Sequence, residues 1–156
     1  MRRIMFVCHG NICRSPMAEF IMKKLVREAG LESEIFISSS ATSTEEIYMG
    51  RGNPVYPPAR AELARHGISC EGKRAVQLRS EDYDGYDLFV GMDSANIRNM
   101  NRILRGDPEN KIRKLMDLTD RPGDVADPWY SDRFDITYRD VYDGCCCLLR
   151  YIQDNM

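Results

Sequence analysis

Residues 7–16 read Val-Cys-His-Gly-Asn-Ile-Cys-Arg-Ser-Pro, and this segment decides the fold of the chain. The apolar run Ile4–Val7 leads into it and predicts a buried strand. Gly10 and Asn11 tolerate left-handed backbone angles, which allow the loop to curl. Ser15 is a good N-cap, and the proline after it is a good first helical residue. The segment therefore predicts a strand, a tightly curled loop and a helix.

Apolar runs alternate with amphipathic segments along the rest of the chain. Short apolar runs bounded by polar segments are typical of parallel strands covered on both faces. The alternation predicts a single α/β domain over residues 1–156, a three-layer αβα sandwich around a small, about four-stranded, parallel, Rossmann-like sheet. The predicted strands are Ile4–Cys8, Ile35–Ser38, Leu88–Gly91 and, more weakly, Ile112–Leu115, and the predicted helices are Pro16–Ala29, Pro58–His66, Ser94–Leu104 and one from Phe134 to the C-terminus.

Composition and charge exclude several classes of protein. The 156 residues are the size of one ordinary domain, and the net charge of −2 gives no sign of binding to nucleic acid or a membrane surface. No apolar stretch has a signal-peptide pattern or the length of a membrane span, so we expect a cytoplasmic protein. The six cysteines are then expected to stay reduced, and their spacing matches no zinc site. Three of them, Cys145, Cys146 and Cys147, are interpreted as small apolar residues in or near the core.

The loop over residues 8–14 has a thiol at its start and a guanidinium at its end. The spacing between Cys8 and Arg14 allows successive backbone N–H groups to point inward at an anion, and the helix N-terminus adds partial positive charge. This setting favours the thiolate form of Cys8, while Arg14 can hold two phosphate oxygens in a planar fork. The combination points to attack by a thiolate on a bound phosphate, through a phosphocysteine that water hydrolyses. The N–H groups and Arg14 supply the electrostatic stabilisation, so no metal or other cofactor is required.

Residues 8–16 resemble the signature of the low-molecular-weight protein tyrosine phosphatases, and other segments extend the resemblance over essentially the whole chain. The resemblance implies hydrolysis of phosphotyrosine and small aryl phosphates, with Cys8 as nucleophile, Arg14 as phosphate clamp and Asp127 as general acid and then base. It also implies phosphotyrosine-containing protein substrates, a tyrosine kinase as cognate partner and a monomer or weak dimer. The further matching segments are Arg65–Ile68, Met92–Asn96 and Asp127–Tyr130.

The same resemblance assigns residues to the surroundings of the nucleophile. Cys13 would pair with an oxidised Cys8 and so protect it from irreversible oxidation. Ser39 (or Ser40) and His66 would support the loop in its strained shape. The phosphate-binding loop would comprise His9, Gly10, Asn11, Ile12, Cys13 and Ser15, and the walls of the substrate pocket Tyr48, Trp129 and Tyr130.

Two positions depart from the family pattern and one bears on the substrate. His9 stands where the family commonly has a small or aliphatic residue, and Trp129 where it usually has tyrosine. Related phosphatases that act on phosphoarginine typically have threonine at the position of Ile12. An apolar side chain there suits an aromatic leaving group better, which favours phosphotyrosine.

Three other functions remain as alternatives. A phosphoarginine phosphatase would share the fold and the loop. A thioredoxin-coupled arsenate reductase would need two further cysteines as a relay near the site, whereas Cys70 is isolated and the consecutive cysteines lie in the last helix. A phosphopeptide-binding module, the alternative from another class, would not need Cys8, Arg14 and Asp127 all to be present.

Overall fold

The structure is a computed structural model that describes residues 1–156. A four-stranded parallel sheet is surrounded by helices, as predicted. No helix is both long enough and apolar enough to cross a membrane. The strands are β1 (Arg2–Cys8), β2 (Ile35–Ala41), β3 (Ile47–Tyr48), β4 (Arg51–Gly52), β5 (Leu88–Gly91) and β6 (Ile112–Lys114), and the helices are α1 (Arg14–Glu28), α2 (Pro57–Arg65), α3 (Ser94–Ile103), α4 (Pro128–Ser131) and α5 (Phe134–Asp154).

The strand order β2-β1-β5-β6 places the first strand in the middle of the sheet. The chain leaves β1 through α1 to reach β2 on one side, and later adds β5 on the other side. The order therefore reverses between β1 and β5, and the crevice at the carboxyl ends of such strands is where open α/β sheets bind ligands. Cys8, the last residue of β1, lies at this point.

The sheet separates two hydrophobic clusters, because successive side chains of a strand point to opposite faces. In β1, Ile4 and Phe6 join the larger cluster, which α1, α2 and α5 cover. Met5 and Val7 join a smaller cluster, which includes Met100 of α3. Both faces of β1 are thus buried, which is why its sequence is continuously apolar rather than alternating.

The predicted strands and helices are all present, with ends that differ by up to three residues. The antiparallel hairpin of β3 and β4 was not predicted. Its two-residue strands are too short to give an alternating pattern in the sequence. The short helix α4 and the 3₁₀ turns at Ser80–Gly85 and Leu115–Leu118 were likewise not predicted, since a single turn has no hydrophobic periodicity to detect.

Candidate active site

The loop after β1 wraps around the sulfur of Cys8. The backbone N–H groups of Asn11 and Ser15 point at Cys8 Sγ, with N···S distances of 3.3 and 3.4 Å. Asn11 makes the curl possible with a left-handed φ of 59°, whereas Gly10 does not adopt a positive φ. Asparagine tolerates this conformation better than most residues do. Cys8 itself is buried at the base of the loop, where these donors favour a negative sulfur.

The prediction that Ser15 caps the following helix is wrong. Helix α1 begins one residue earlier, at Arg14, and Cys13 occupies the N-cap position without a side-chain capping bond. Ser15 instead turns its hydroxyl towards Cys8, with a distance of 2.9 Å between Ser15 Oγ and Cys8 Sγ. The first turn of α1 therefore directs the N–H and the hydroxyl of Ser15 at the sulfur, and no side chain caps the helix.

Arg14 is buried, and its guanidinium is anchored on one side only. Its Nη1 donates to Asp93 Oδ2 at 2.8 Å and to the carbonyl oxygen of Val125 at 2.9 Å. Burial opposes the charged form, but the negative charge on Cys8 and the hydrogen bond to Asp93 outweigh it and raise the pKa of Arg14 above its usual value. The guanidinium is therefore a permanent cation whose remaining N–H edge is available to an anion.

Asp127 lies on the far side of this guanidinium, at the start of α4. Its Oδ1 accepts a hydrogen bond from the backbone N–H of Trp129 at 3.0 Å, which makes it the N-cap of the helix. Its Oδ2 is 3.6 Å from Arg14 Nη2. One carboxyl oxygen is thus held by the backbone while the other faces the place where Arg14 would hold a phosphate.

A single cavity brings these groups together with most of the predicted pocket residues. Trp129 and Tyr130 line it, with side chains 55% and 85% exposed, and the Trp129 ring is braced by the Tyr56 ring at 4.9 Å between centroids. The prediction that Tyr48 forms another wall is wrong, because its 78% exposed side chain lies on β3 outside the cavity. The lining residues are Cys8, His9, Gly10, Ile12, Cys13, Arg14, Glu45, Glu46, Asp127, Trp129 and Tyr130.

Two carboxylates, Glu45 and Glu46, line the cavity on the side where the family resemblance predicted the ring of Tyr48. Glu45 Oε2 is 3.0 Å from His9 Nε2, and both side chains are largely exposed. Glu46 is held in place by Asn53, whose Nδ2 donates to its Oε2 at 2.7 Å. These residues were missed because a Glu-Glu pair in a polar loop resembles an ordinary solvated surface. Their effect is to give the cavity an acidic edge.

Behind the loop, Asn11 is held by buried polar groups. Its Nδ2 donates to Ser15 Oγ at 2.8 Å and to Ser39 Oγ at 2.9 Å, so Ser39 and not Ser40 occupies the predicted supporting position. Its Oδ1 accepts from the backbone N–H of Val76 at 3.0 Å. Ser39 Oγ in turn donates to Glu19 Oε1 at 2.6 Å, on the buried face of α1.

The prediction that His66 joins this network is wrong. Its ring is stacked on Tyr138 with centroids 3.7 Å apart, and its Nε2 is 3.1 Å from Glu62 Oε2. The network contains Lys73 instead, whose Nζ donates to the carbonyl oxygen of Ser39 at 3.0 Å and lies 3.4 Å from Glu19 Oε1. Lys73 was missed because it lies in a charged, glycine-containing loop that looks solvent-exposed in the sequence.

Of the remaining cysteines, only Cys13 lines the cavity. Burial, followed by the negative charge on Cys8, raises the pKa of Cys13 to about 12. Cys70 is buried away from the cavity, and Cys145 lies on the buried face of α5, in the core. Cys13 is therefore a protonated thiol at neutral pH.

Comparisons with known proteins identify the same family. A family model described as low molecular weight phosphotyrosine protein phosphatase matches residues 3–156. The low molecular weight protein-tyrosine-phosphatase YfkJ of Bacillus subtilis is 36% identical over 155 residues, covering 98% of this chain and 97% of the relative. The Homo sapiens low molecular weight phosphotyrosine protein phosphatase is 32% identical over 156 residues, covering 94% and 91% of the two chains.

Solved structures agree in fold. The crystal structure of YfkJ from Bacillus subtilis has a TM-score of 0.91 at 34% identity, covering 99% of this chain and 96% of that chain. The low molecular weight protein tyrosine phosphatase of Streptococcus pyogenes has a TM-score of 0.85 at 36% identity, covering 97% and 93%. The chain therefore belongs to the low molecular weight protein-tyrosine-phosphatase family of cysteine-dependent hydrolases, which act on phosphotyrosine-containing substrates.

Proposed function

We propose that Cys8, Arg14 and Asp127 carry out phosphotyrosine hydrolysis in this protein, as nucleophile, phosphate clamp and general acid and base. The observation that supports this most strongly is their convergence on one cavity. Cys8 Sγ has two backbone donors and a hydroxyl around it, and Asp127 Oδ2 is 3.6 Å from the guanidinium of Arg14. We further propose that residues 1–156 act as one domain.

In the first step the Cys8 thiolate attacks the phosphorus atom, and the bond from phosphorus to the tyrosine oxygen breaks. The loop N–H groups and the free edge of Arg14 stabilise the charge on the equatorial phosphate oxygens. Asp127, in its acid form, gives its proton to the departing phenol oxygen. Tyrosine leaves, and the phosphoryl group remains bonded to Cys8 Sγ.

In the second step water replaces the cysteine on phosphorus. Asp127, now a carboxylate, accepts a proton from the attacking water, and inorganic phosphate is released. The electron pair of the broken S–P bond returns to Cys8 Sγ, which the hydroxyl of Ser15 at 2.9 Å stabilises again as a thiolate. The same donors that favour the nucleophile therefore also favour its departure as a leaving group.

Two apolar side chains in the lining of the cavity support an aromatic leaving group. Ile12 contributes an apolar side chain at the position where a hydroxyl would suit a guanidinium, and Trp129 offers an aromatic surface beside Asp127. A phosphotyrosine ring is expected to lie against Trp129 with its phosphate in the loop. We propose phosphotyrosine-containing proteins as the substrates on this basis, rather than phosphoarginine.

The alternative functions are less well supported. An arsenate reductase relay would need further cysteines near Cys8, but Cys70 and Cys145 are buried elsewhere. A phosphopeptide-binding module would gain nothing from the contact between Asp127 and the Arg14 guanidinium. For the setting of the enzyme we propose a cytoplasmic monomer or weak dimer that opposes a tyrosine kinase.

The test is phosphate release from a phosphotyrosine peptide with a chelator present, for wild type, Cys8→Ser and Asp127→Ala. We expect Cys8→Ser to abolish turnover, and Asp127→Ala to slow it by about 10²–10⁴-fold. In kcat/KM, which reports the steps up to departure of the leaving group, the loss in Asp127→Ala is expected to be much smaller with p-nitrophenyl phosphate, whose leaving group needs no proton. Asp120→Ala, an exposed aspartate in the same loop-rich region, serves as the matched control.

Three results would contradict the proposal. Turnover by Cys8→Ser at the wild-type rate would remove the thiolate from the mechanism. An equal loss of kcat/KM on both substrates in Asp127→Ala would show that Asp127 does not protonate the leaving group. Faster hydrolysis of phosphoarginine than of phosphotyrosine by the wild type would show that the protein is a phosphoarginine phosphatase instead.

A further inference from the structure

A buried ion pair connects the back of the phosphate-binding loop to a distant part of the chain. The side chains of Lys73 and Glu19 are only 11% and 6% exposed, and the distance from Lys73 Nζ to Glu19 Oε1 is 3.4 Å. Burying two charges costs free energy that their mutual attraction repays only with good geometry and further hydrogen bonds. Nothing in the reaction proposed above uses this pair directly, so its position requires a separate explanation.

The pair holds Ser39 at two points. Glu19 Oε1 accepts the hydroxyl hydrogen of Ser39 at 2.6 Å, while Lys73 Nζ donates to the Ser39 carbonyl oxygen at 3.0 Å. An ionised carboxylate can only accept, so the single hydroxyl hydrogen of Ser39 is committed to Glu19. The lone pairs of Ser39 Oγ are thereby left to face Asn11.

The direction of every hydrogen bond from Ser39 to the nucleophile then follows. Asn11 Nδ2 donates to both Ser39 Oγ and Ser15 Oγ, because its amide is oriented by Val76 N–H, which can only donate to Asn11 Oδ1. Ser15 Oγ already accepts from Asn11, so its own hydrogen points at Cys8 Sγ, 2.9 Å away. The chain of bonds thus ends in a donor aimed at the thiolate.

The charge of Lys73 has a second effect. Glu19 alone would place a buried negative charge behind the loop, where it would oppose the thiolate of Cys8. Burial lowers the pKa of Lys73 below its usual value, and the charge on Glu19 is the main effect that opposes this, with a smaller contribution from Cys8. The other cation on Glu19 is Lys23, at 2.6 Å, whose side chain is 42% exposed and so better screened by solvent.

We propose that Lys73 is a positioning residue for the reaction, which acts through Glu19, Ser39 and Asn11 to keep the Ser15 hydroxyl directed at Cys8. This inference rests on the function proposed above for Cys8, and it adds a residue that contacts neither substrate nor the reacting atoms. It predicts that the Lys73 charge affects the ionisation of the nucleophile as well as the stability of the fold.

The experiment compares wild type, Lys73→Met, Lys73→Arg and Lys24→Met. The readouts are kcat/KM on a phosphotyrosine peptide and the pH dependence of Cys8 alkylation by iodoacetamide, followed by mass spectrometry of the Cys8 peptide. We expect Lys73→Met to lower kcat/KM by about tenfold or more and to move the alkylation midpoint to higher pH. Lys73→Arg retains the charge and is expected to rescue most of both. Lys24, a partly exposed lysine of the same helix as Glu19, is the matched control.

An unchanged alkylation midpoint in Lys73→Met, with kcat/KM within twofold of the wild type, would overturn the proposal. If Lys73→Met does not fold, the double variant Glu19→Gln with Lys73→Met leaves no unpaired buried charge and decides the question. We expect it to remain at least fivefold less active than the wild type, and wild-type activity would overturn the proposal. The wild type and Cys8→Ser are assayed alongside. If the proposed function were wrong, the wild type itself would fail to hydrolyse the peptide, whereas failure of the Lys73 proposal leaves wild-type activity intact.

Discussion

Replacement of Arg14 by lysine separates the charge of the clamp from its shape. Arg14 uses Nη1 to bind Asp93 and the Val125 carbonyl, and its Nε and Nη2 make no hydrogen bond within the protein. The guanidinium can therefore hold its anchors and a phosphate at the same time. The three donors of a lysine share one nitrogen, which cannot reach the Asp93 anchor and two phosphate oxygens together.

The size of the effect follows from the bonds that are lost. Two charge-assisted hydrogen bonds to phosphate, at about 1.5–3 kcal/mol each, are replaced by at most one contact to a point charge. Counting the anchor that is left unsatisfied, we expect Arg14→Lys to lose about 3–5 kcal/mol of transition-state stabilisation. At about 1.4 kcal/mol per factor of ten, this corresponds to a fall in kcat/KM of roughly 10²–10⁴-fold.

The assay is kcat/KM on a phosphotyrosine peptide, together with the inhibition constant of inorganic phosphate. Both are expected to worsen, because the fork binds phosphate in the ground state as well as in the transition state. The matched control is Arg121→Lys, a half-exposed arginine that pairs with Asp140 and Asp143 away from the cavity. If folded Arg14→Lys has a kcat/KM within fivefold of the wild type, a positive charge alone suffices, and the requirement for the planar guanidinium is refuted.

Three further predictions concern the acidic edge of the cavity, the loop thiol and the half-buried Asp107. Glu46→Gln is expected to raise kcat/KM for peptides with acidic residues beside phosphotyrosine and not for those with lysines; equal changes for both would contradict an electrostatic edge. After peroxide treatment, reductant is expected to restore the wild type but not Cys13→Ser, because a disulfide with Cys8 blocks further oxidation; equal recovery would exclude that role. Burial opposes ionisation of Asp107, but hydrogen bonds from Tyr83 and from two backbone N–H groups outweigh this effect and lower the pKa of Asp107 below its ordinary value of 3.8. The ionised carboxylate therefore stabilises the fold above pH 3.8, and this stabilisation is lost as the pH falls through the lower pKa of the folded state. In urea unfolding, we expect the free energy of unfolding of Asp107→Ala to be about 1–3 kcal/mol below that of the wild type at pH 7, and this difference to become smaller below pH 3.8. A difference that does not change with pH would contradict the prediction.

Much of the fold could be predicted because its signals are local. The continuous apolar run of β1 marks a strand buried on both faces, and Gly30 and Gly67 end their helices with left-handed φ values of 72° and 73°. The hairpin of β3 and β4 could not be predicted, because its packing is a long-range property. A Cβ on Gly52 would lie 1.9 Å from the carbonyl oxygen of Ala75, a contact that no local pattern in the sequence reveals.

The candidate site likewise contains some residues that could be predicted from the sequence and others that could not. Cys8 and Arg14 are close in the chain, so a short segment contains both the proposed nucleophile and the proposed clamp. Asp93 could have been found by topology, because it follows β5, whose carboxyl end is beside that of β1. Lys73 could not, since its pairing with Glu19 depends on how a loop folds over the end of the sheet.

The measurement that most directly tests the central claim is detection of the phosphocysteine. Asp127→Ala is mixed with p-nitrophenyl phosphate, quenched in acid during turnover, digested and analysed by mass spectrometry. We expect one added phosphoryl group on the peptide that contains Cys8, and none when Cys8 is replaced by serine. A phosphoryl group on another residue, or an unmodified Cys8 peptide from enzyme that is turning over, would contradict it.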